Sequence, residues 1–181
     1  GFGIYSSGMS FDLKNVDNNV TDKWTWIRNE AYIQSIWKDK YAIGGGISHD
    51  YFKAENNGDN RRYGRFLNPY IFLKSDTQDD KEFPTKGVYF SAEGKVIDLL
   101  KSEVDKRIVQ IKADLRINIP LWKQFTYRLN LFGGITIGEN LPQFYQYRLG
   151  GIFEQNIINF RSFGGFYFAQ LHTNNCLLYT S

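Results

Sequence analysis

A strict alternation of apolar and polar residues between positions 109 and 119 constrains the fold of this chain more than any other feature. The odd positions are all apolar: Val109, Ile111, Ala113, Leu115, Ile117 and Ile119. The even positions are all polar: Gln110, Lys112, Asp114, Arg116 and Asn118. Because successive side chains of a strand point to opposite faces, a period of two predicts a β-strand with one apolar and one polar face.

The same pattern recurs along the chain and predicts a sheet of consecutive hairpins. Phe125, Tyr127, Leu129 and Leu131 alternate with Thr126, Arg128 and Asn130 after a turn that begins at Pro120. With more interruptions elsewhere, the pattern predicts eight strands, at 1–12, 24–37, 40–53, 63–76, 87–98, 107–119, 124–138 and 164–171. A short helical turn near 98–105 is an alternative prediction, because Leu100, Val104 and Ile108 also fit helical spacing.

The connections between these strands point to an up-and-down barrel. Longer polar connections at 14–22, 55–62, 99–105 and 139–162 alternate with shorter ones at 38–40, 78–84 and 120–123. This places the long loops at one end and the short turns at the other, as in outer-membrane barrels. Strands of about 12 residues reach roughly 40 Å, and a tilt of about 45° projects this to about 28 Å of membrane. We therefore predict an all-β fold, an antiparallel up-and-down meander that forms a transmembrane β-barrel.

The direction of the two faces separates a membrane barrel from a soluble one. In a membrane barrel the apolar set meets lipid and the polar set lines the lumen, and a soluble barrel reverses this. Aromatic residues near the predicted strand ends favour the membrane, with Trp37, Tyr41 and Trp122 at the short turns and Trp24, Trp26, Tyr51, Phe52 and Tyr63 at the long loops. The predicted lumen-facing residues are Gln110, Lys112, Asp114, Arg116 and Arg128. The predicted lipid-facing residues are Val109, Ile111, Leu115, Ile117, Leu129 and Leu131.

Composition excludes several other classes of protein. A net charge of +3 leaves no basic surface for nucleic acid, and no apolar run reaches the ~20 residues of a membrane helix. The single Cys176 excludes a disulfide framework. No Gly-x-Ser-x-Gly elbow occurs, and His49 and His172 have no metal-ligand spacing. We therefore predict no catalytic residues, no metal ligands and no cofactor, and we interpret Asp79 and Asp80 as part of a solvated turn.

Three motifs, in order, resemble the bacterial surface antigen barrel superfamily, which includes the outer-membrane assembly and secretion translocases. They are Phe83-Pro84-Thr85-Lys86-Gly87, then Lys112-Ala113-Asp114-Leu115-Arg116 through Ile119-Pro120-Leu121, and then Tyr147-Arg148-Leu149-Gly150-Gly151. The resemblance covers residues 63–171. It implies a sixteen-stranded barrel that follows soluble N-terminal modules, so that the eight strands here are about half of the barrel.

The long loop after the third motif departs from the translocase pattern. In translocases this loop carries an Arg-Gly-aromatic motif that tucks into the lumen, whereas here Arg161 is followed by Ser162. An Asn-rich loop followed by Phe-x-Gly is more similar to barrels attached to patatin-like phospholipases. The residues that carry this long-loop motif are Leu149, Gly150, Gly151, Arg161, Phe163 and Gly164.

The resemblance implies a barrel in the bacterial outer membrane that anchors or exports a patatin-like phospholipase domain absent from this chain. The alternatives are the barrel of an assembly or secretion translocase, or a soluble β-barrel that binds a small apolar ligand. The expected partners are the lipid bilayer and a passenger or catalytic domain in the same parent chain, with no nucleic acid. The chain starts at Gly1 without Met, so we expect it to be incomplete, and we interpret 176–181 as a non-native tail. The resemblance implies that 1–175 is a partial barrel.

Overall fold

The computed structural model describes residues 1–14, 20–56, 61–97, 107–122, 125–150, 159–161 and 171–180. In these ranges the regular structure is β-strand, apart from a single 3-10 turn at Gln143–Tyr145. No helix among the described residues is long and apolar enough to span a membrane.

Seven long strands follow one another as antiparallel neighbours. They are β1 (Phe2–Lys14), β2 (Val20–Trp37), β3 (Tyr41–Asn56), β4 (Arg61–Asp76), β5 (Gly87–Ile97), β6 (Ile108–Trp122) and β7 (Phe125–Ile137). Four short strands follow, β8 (Tyr147–Leu149), β9 (Phe160–Arg161), β10 (Leu171–Thr173) and β11 (Cys176–Thr180). β11 pairs with β7 as the eighth strand of the main sheet, and β8 lies between β9 and β10 in a small second sheet. The predicted all-β antiparallel meander is confirmed.

The strand bounds differ from the prediction in a few places. β2 begins at Val20, and β3 and β4 reach Asn56 and Arg61, so the strands extend into segments predicted as loops. The connection 77–86 has ten residues and interrupts the predicted alternation of long and short connections. Residues 98–105, where a helical turn was left open, and most of the predicted eighth strand at 164–171 lie outside the described residues. The strand beside β7 is instead Cys176–Thr180, within the segment interpreted as a tail, whose origin stays a prediction.

Strand register divides the sheet into two faces. Gln110 lies opposite Lys95 of β5 and Thr136 of β7, so these three side chains share a face, which we call the polar face. Ile111 lies opposite Gly94 and Ile135 on the other face, which we call the apolar face. The exposed side chains of the apolar face include Phe2, Ile4, Ile27, Ile33, Ile43, Ile47, Ile71, Leu73, Val88, Ile111, Ile119, Ile135, Ile137 and Leu177. A continuous apolar surface of this size is unusual for a protein surrounded by water.

The connection 77–86 is ordered by two aspartate side chains. Asp79 accepts hydrogen bonds from the Thr85 hydroxyl and from the backbone N–H groups of Thr85 and Lys86. Asp80 accepts from two further backbone N–H groups of the same turn. The Thr85 hydroxyl and the Lys86 N–H lower the pKa of the Asp79 carboxyl to about 2. These two carboxylates therefore shape the turn.

We expect Asp79→Ala to make this connection more sensitive to trypsin at Lys81 and Lys86, because four hydrogen bonds are lost, from the Asp80, Thr85 and Lys86 N–H groups and the Thr85 hydroxyl. Glu82→Ala is the matched control, since that carboxylate takes no part in these bonds. Because the folded pKa is depressed, the Asp79 contribution is complete above its ordinary value of 3.8 and is lost as the pH falls to about 2. Equal cleavage rates for both variants at neutral pH would contradict this role.

Candidate functional site

A segment after β7 lies against the polar face and covers it. This covering segment consists of residues 141–149 together with Asn159 and Arg161. Tyr145 and Tyr147 are fully buried in it, although they lie in a stretch predicted to be a polar loop. The part of the polar face beneath this segment is therefore packed by the chain itself.

Aromatic rings form the apolar part of this contact. Phe144 stacks on Phe52 of β3 with ring centroids 4.5 Å apart, and it meets the edge of Trp24 of β2 at 4.7 Å. Tyr145 contacts Phe52 and Phe66 in edge-to-face geometry. Such pairs contribute about 0.5–1.5 kcal/mol each beyond the area that they bury. The covering segment is thus fixed near the long-loop ends of β2 to β4.

A buried ionic network anchors the Tyr145 hydroxyl. The Arg28 guanidinium donates two hydrogen bonds to the Asp50 carboxylate, with Nε–Oδ1 at 2.7 Å and Nη2–Oδ2 at 3.0 Å. Asp50 Oδ2 also accepts from Tyr145 Oη and from Asn68 Nδ2, each at 2.8 Å. Asp50 and Asn68 are completely buried. The network joins three neighbouring strands to a residue 95 positions further along the chain.

A second set of hydrogen bonds holds the backbone of the covering segment. Gln110 Nε2 and Asn159 Nδ2 both donate to the carbonyl oxygen of Tyr145, each at 2.8 Å. Asn159 also donates to Gln110 Oε1 at 2.9 Å. The Arg148 N–H donates to the Asn159 carbonyl, which joins the two halves of the covering segment. These bonds satisfy polar groups that would be costly to bury alone.

The charged residues of β5 and β6 form ion pairs nearer the short turns. Arg161 and Arg116 both pair with Asp114, and the Arg161 guanidinium lies 4.5 Å from the ring centroid of Phe132. Lys112 Nζ lies 3.2 Å from Glu93 Oε1. Opposite charges in register stabilise a sheet face. Arg161 thereby fixes the second part of the covering segment to β6.

Tyr147 occupies space that only a glycine leaves open. A Cβ atom at Gly134 of β7 would overlap the Tyr147 ring, whereas one at Gly133, on the apolar face, would have its nearest neighbour at 3.7 Å. Tyr147 Oη donates to the carbonyl of Ile111 at 3.2 Å. The ring is thus seated by shape and by one hydrogen bond.

We expect Gly134→Ala to destabilise the folded protein by about 1–3 kcal/mol, because the added methyl forces the Tyr147 ring to move. Gly133→Ala is the matched control, and we expect only a small change for it. The measurement is the urea midpoint of the full-length protein in detergent. Equal midpoints for the two variants would contradict the packing of Tyr147 against β7.

The structure places the sequence-predicted site residues in two groups. Gln110, Lys112, Asp114, Arg116 and Arg128 lie on the polar face, and Val109, Ile111, Leu115, Ile117, Leu129 and Leu131 lie on the apolar face. Of the long-loop motif, Leu149, Gly150 and Arg161 are described, and the Gly150 N–H donates to the Arg161 carbonyl. Gly151, Phe163 and Gly164 lie outside the described residues.

One aromatic assignment was wrong. Trp24 and Trp26 are only 3% and 6% exposed, and they lie with Phe52 on the polar face and not in an outward ring. Their even positions in β2 match that of Arg28, a signal in the sequence that they share its face. Trp37 and Trp122, near the short turns, are exposed.

Sequence analysis did not identify several residues of this site. Asp50, Asn68, Tyr145 and Asn159 carry the two hydrogen-bond networks, and none was singled out beforehand. Within the described ranges, no three His, Cys, Asp or Glu side chains lie close enough to hold a metal ion.

Comparison with known protein families gives a match over most of the chain. A family model described as the OMP85 superfamily matches residues 5–180, which is nearly the whole chain. The matched range leaves out only the first few residues of β1. No curated protein matches the sequence.

Proposed function

Since this chain belongs to the OMP85 superfamily, we propose that it is part of a bacterial outer-membrane β-barrel whose interior is filled by its own long loop. Members of this superfamily are in general located in the outer membrane. The eight-stranded sheet ends in two edges, β1 and β11. Open edges pair readily with other strands. In a larger barrel of sixteen strands in total, the remaining strands would pair with these two edges.

The observation that carries this proposal is the direction of the two faces. The exposed face is apolar along the long strands, and the covered face holds buried Asp50, Lys95 and Gln110. Water would favour the reverse arrangement, whereas hydrocarbon favours this one. This supports a lipid bilayer as the partner of the apolar face, and we propose the lipid-facing and lumen-facing sets predicted from the sequence.

A filled interior supports an anchor more than an open conduit. The covering segment is tied to β3, β4 and β6 by buried hydrogen bonds, which leaves little room for a passing chain. The long loop is similar to that of barrels attached to patatin-like phospholipases. We propose that the barrel anchors or exports such a hydrolase domain, and that the barrel itself carries no catalytic residues.

A translocase barrel is the second candidate, and one contact favours it. Arg161 reaches Asp114 on the polar face, as expected for a long-loop arginine that tucks into the lumen. The sequence of the complete reading frame separates the two candidates. We expect a domain with a Gly-x-Ser-x-Gly elbow beside the barrel. Repeated small α/β modules would support the translocase, and a frame with neither would contradict both.

A further inference from the structure

The connection 77–86 folds over the polar face at the end where the short turns are. It first continues the pairing of β4 with β5, since the Asp79 N–H donates to the Lys86 carbonyl at 3.0 Å. Its tip then reaches the second strand beyond β5, where Arg128 Nη2 of β7 donates to the Pro84 carbonyl at 3.4 Å. A turn that only joined two neighbouring strands would not extend so far across the sheet. We call residues 77–86 the strap.

The strap covers the polar face at the end of β6. Asn118 lies opposite Gly87, the first residue after the strap. It is only 3% exposed, and Pro84 at the tip of the strap is buried too. Asn118 Oδ1 also accepts from Arg128 Nε at 3.0 Å, so the tip, β6 and β7 meet at one point. The polar face is therefore covered here, as it is beneath the covering segment.

A cavity of about 400 Å³ separates the strap from the covering segment. Its wall on the side of the strap includes Gln78, Lys81, Glu82 and Pro84, and its wall on the other side includes Arg161 of the covering segment. Residues of β6 and β7 form the floor between them. The strap and the covering segment thus approach one space from opposite ends of the strands.

The strap keeps its shape without the contact to β7. Asp79 and Asp80 hold its backbone by the hydrogen bonds described above, and the Thr77 hydroxyl both donates to and accepts from the Val88 backbone. Gly87 has a φ of 110°, and a Cβ atom there would lie 2.4 Å from the Thr77 carbonyl oxygen, so only glycine fits this bend. The strap is therefore a preformed unit that bends at its base and rests on the sheet by its tip.

We propose that the strap is a second closure of the barrel interior, at the end opposite to the covering segment. The inference rests on the proposed function, which places the strap at the short-turn mouth of an inserted barrel. Two closures in series block a path until both have moved. A barrel that exports a domain or conducts ions along β6 and β7 would need the strap to move away from Arg128 and the covering segment to loosen.

Thiol labelling of the full-length protein in detergent tests where the strap lies. Asn118→Cys and Gln110→Cys each place one thiol on the polar face of β6 in a Cys176→Ala background, the first under the strap and the second under the covering segment. Replacing 80–85 by Asn-Gly shortens the strap to a two-residue hairpin turn. We expect this to speed labelling at 118 about tenfold or more, because a covered side chain reacts only when its cover opens. Labelling at 110 should not change.

Point variants keep the length of the strap and apply if the shortened chain does not fold. Asp79→Ala, which removes bonds that hold the strap, should also speed labelling at 118, by a smaller factor. Lys86→Gln is the matched control on the same connection and should leave the rate unchanged. Heat-modifiable mobility in gels shows which variants are folded. Labelling at 118 that is equally slow with the wild-type strap, the shortened strap and Asp79→Ala would overturn the proposal.

Ion conductance across planar bilayers tests the closure itself. Asp50→Ala removes the carboxylate that holds Tyr145 of the covering segment. Because closures in series act together, we expect the shortened strap combined with Asp50→Ala to conduct severalfold more than the sum of the two single variants. A combined variant no more conductive than Asp50→Ala alone would overturn the closure. Failure of the wild-type protein to insert into the bilayer would instead contradict the proposed function, and the labelling in detergent would still test the strap.

Discussion

Replacing Asp50 with alanine is expected to lower the free energy of unfolding by about 3–5 kcal/mol, the usual cost of breaking a buried ion pair by removing one partner. The Arg28 side chain is only 14% exposed and would keep its charge without its carboxylate. Tyr145 Oη and Asn68 Nδ2 would lose the same acceptor. The covering segment would then loosen from β3. The measurement is the urea midpoint of the full-length protein in detergent, together with its heat-modifiable mobility in gels.

Two further variants make this result specific. Glu139→Ala removes an exposed carboxylate just after β7, and its midpoint should stay within about 0.5 kcal/mol of wild type. Tyr145→Phe keeps the ring contacts with Phe52 and Phe66 and removes only the hydroxyl, so its loss should be smaller than that of Asp50→Ala. A change in Asp50→Ala no larger than in Glu139→Ala would show that the network does not hold the covering segment.

Placing a lysine at Leu115 is expected to cost about 2–4 kcal/mol if the apolar face meets hydrocarbon, as charged residues do at the middle of a membrane barrel. Leu115 lies at the centre of β6, on the apolar face opposite Phe90 and Leu131. The same change at Leu121, near the strand end and already 69% exposed, should cost only about 0–1 kcal/mol. The readout is the stability of the protein refolded into lipid vesicles.

The difference in cost between Leu115→Lys and Leu121→Lys measures the depth of each position in the membrane and not its packing. The two positions lie on one strand and are six residues apart, which is about 20 Å along the strand. If water and not hydrocarbon covered the apolar face, a lysine at 115 would be solvated as readily as one at 121. Equal and small costs at both positions would therefore exclude a lipid-facing surface.

The long strands could be predicted because each carries its own local signal. β6 was predicted at 107–119 and is observed at Ile108–Trp122, since its period of two is unbroken for most of its length. The error at Trp24 and Trp26 has a different source. Large rings near a strand end fit both a membrane interface and a packed interior, and only their parity with Arg28 separates the two. Odd or even position along the strand predicted the face of these side chains better than residue type did.

The covering segment could not be predicted from local patterns. Tyr145 and Asp50 are 95 residues apart, and nothing in the sequence around either residue indicates the other. A stretch with Pro142, Gln143 and Gln146 has the composition of a surface loop. Its burial depends on the space that Gly134 leaves for Tyr147 and on the acceptors that the sheet provides, which are properties of the assembled fold.

The direction of the two faces in the membrane is the central claim, and spin labels along β6 test it most directly. Single cysteines at positions 109 to 119 would be labelled in a Cys176→Ala background and reconstituted in vesicles. We expect collisions with oxygen, which concentrates in hydrocarbon, to peak at the odd positions such as 111, 115 and 117. Labels at 112, 114 and 116 should instead be shielded from oxygen. Maxima at the even positions, or no period of two, would contradict the claim.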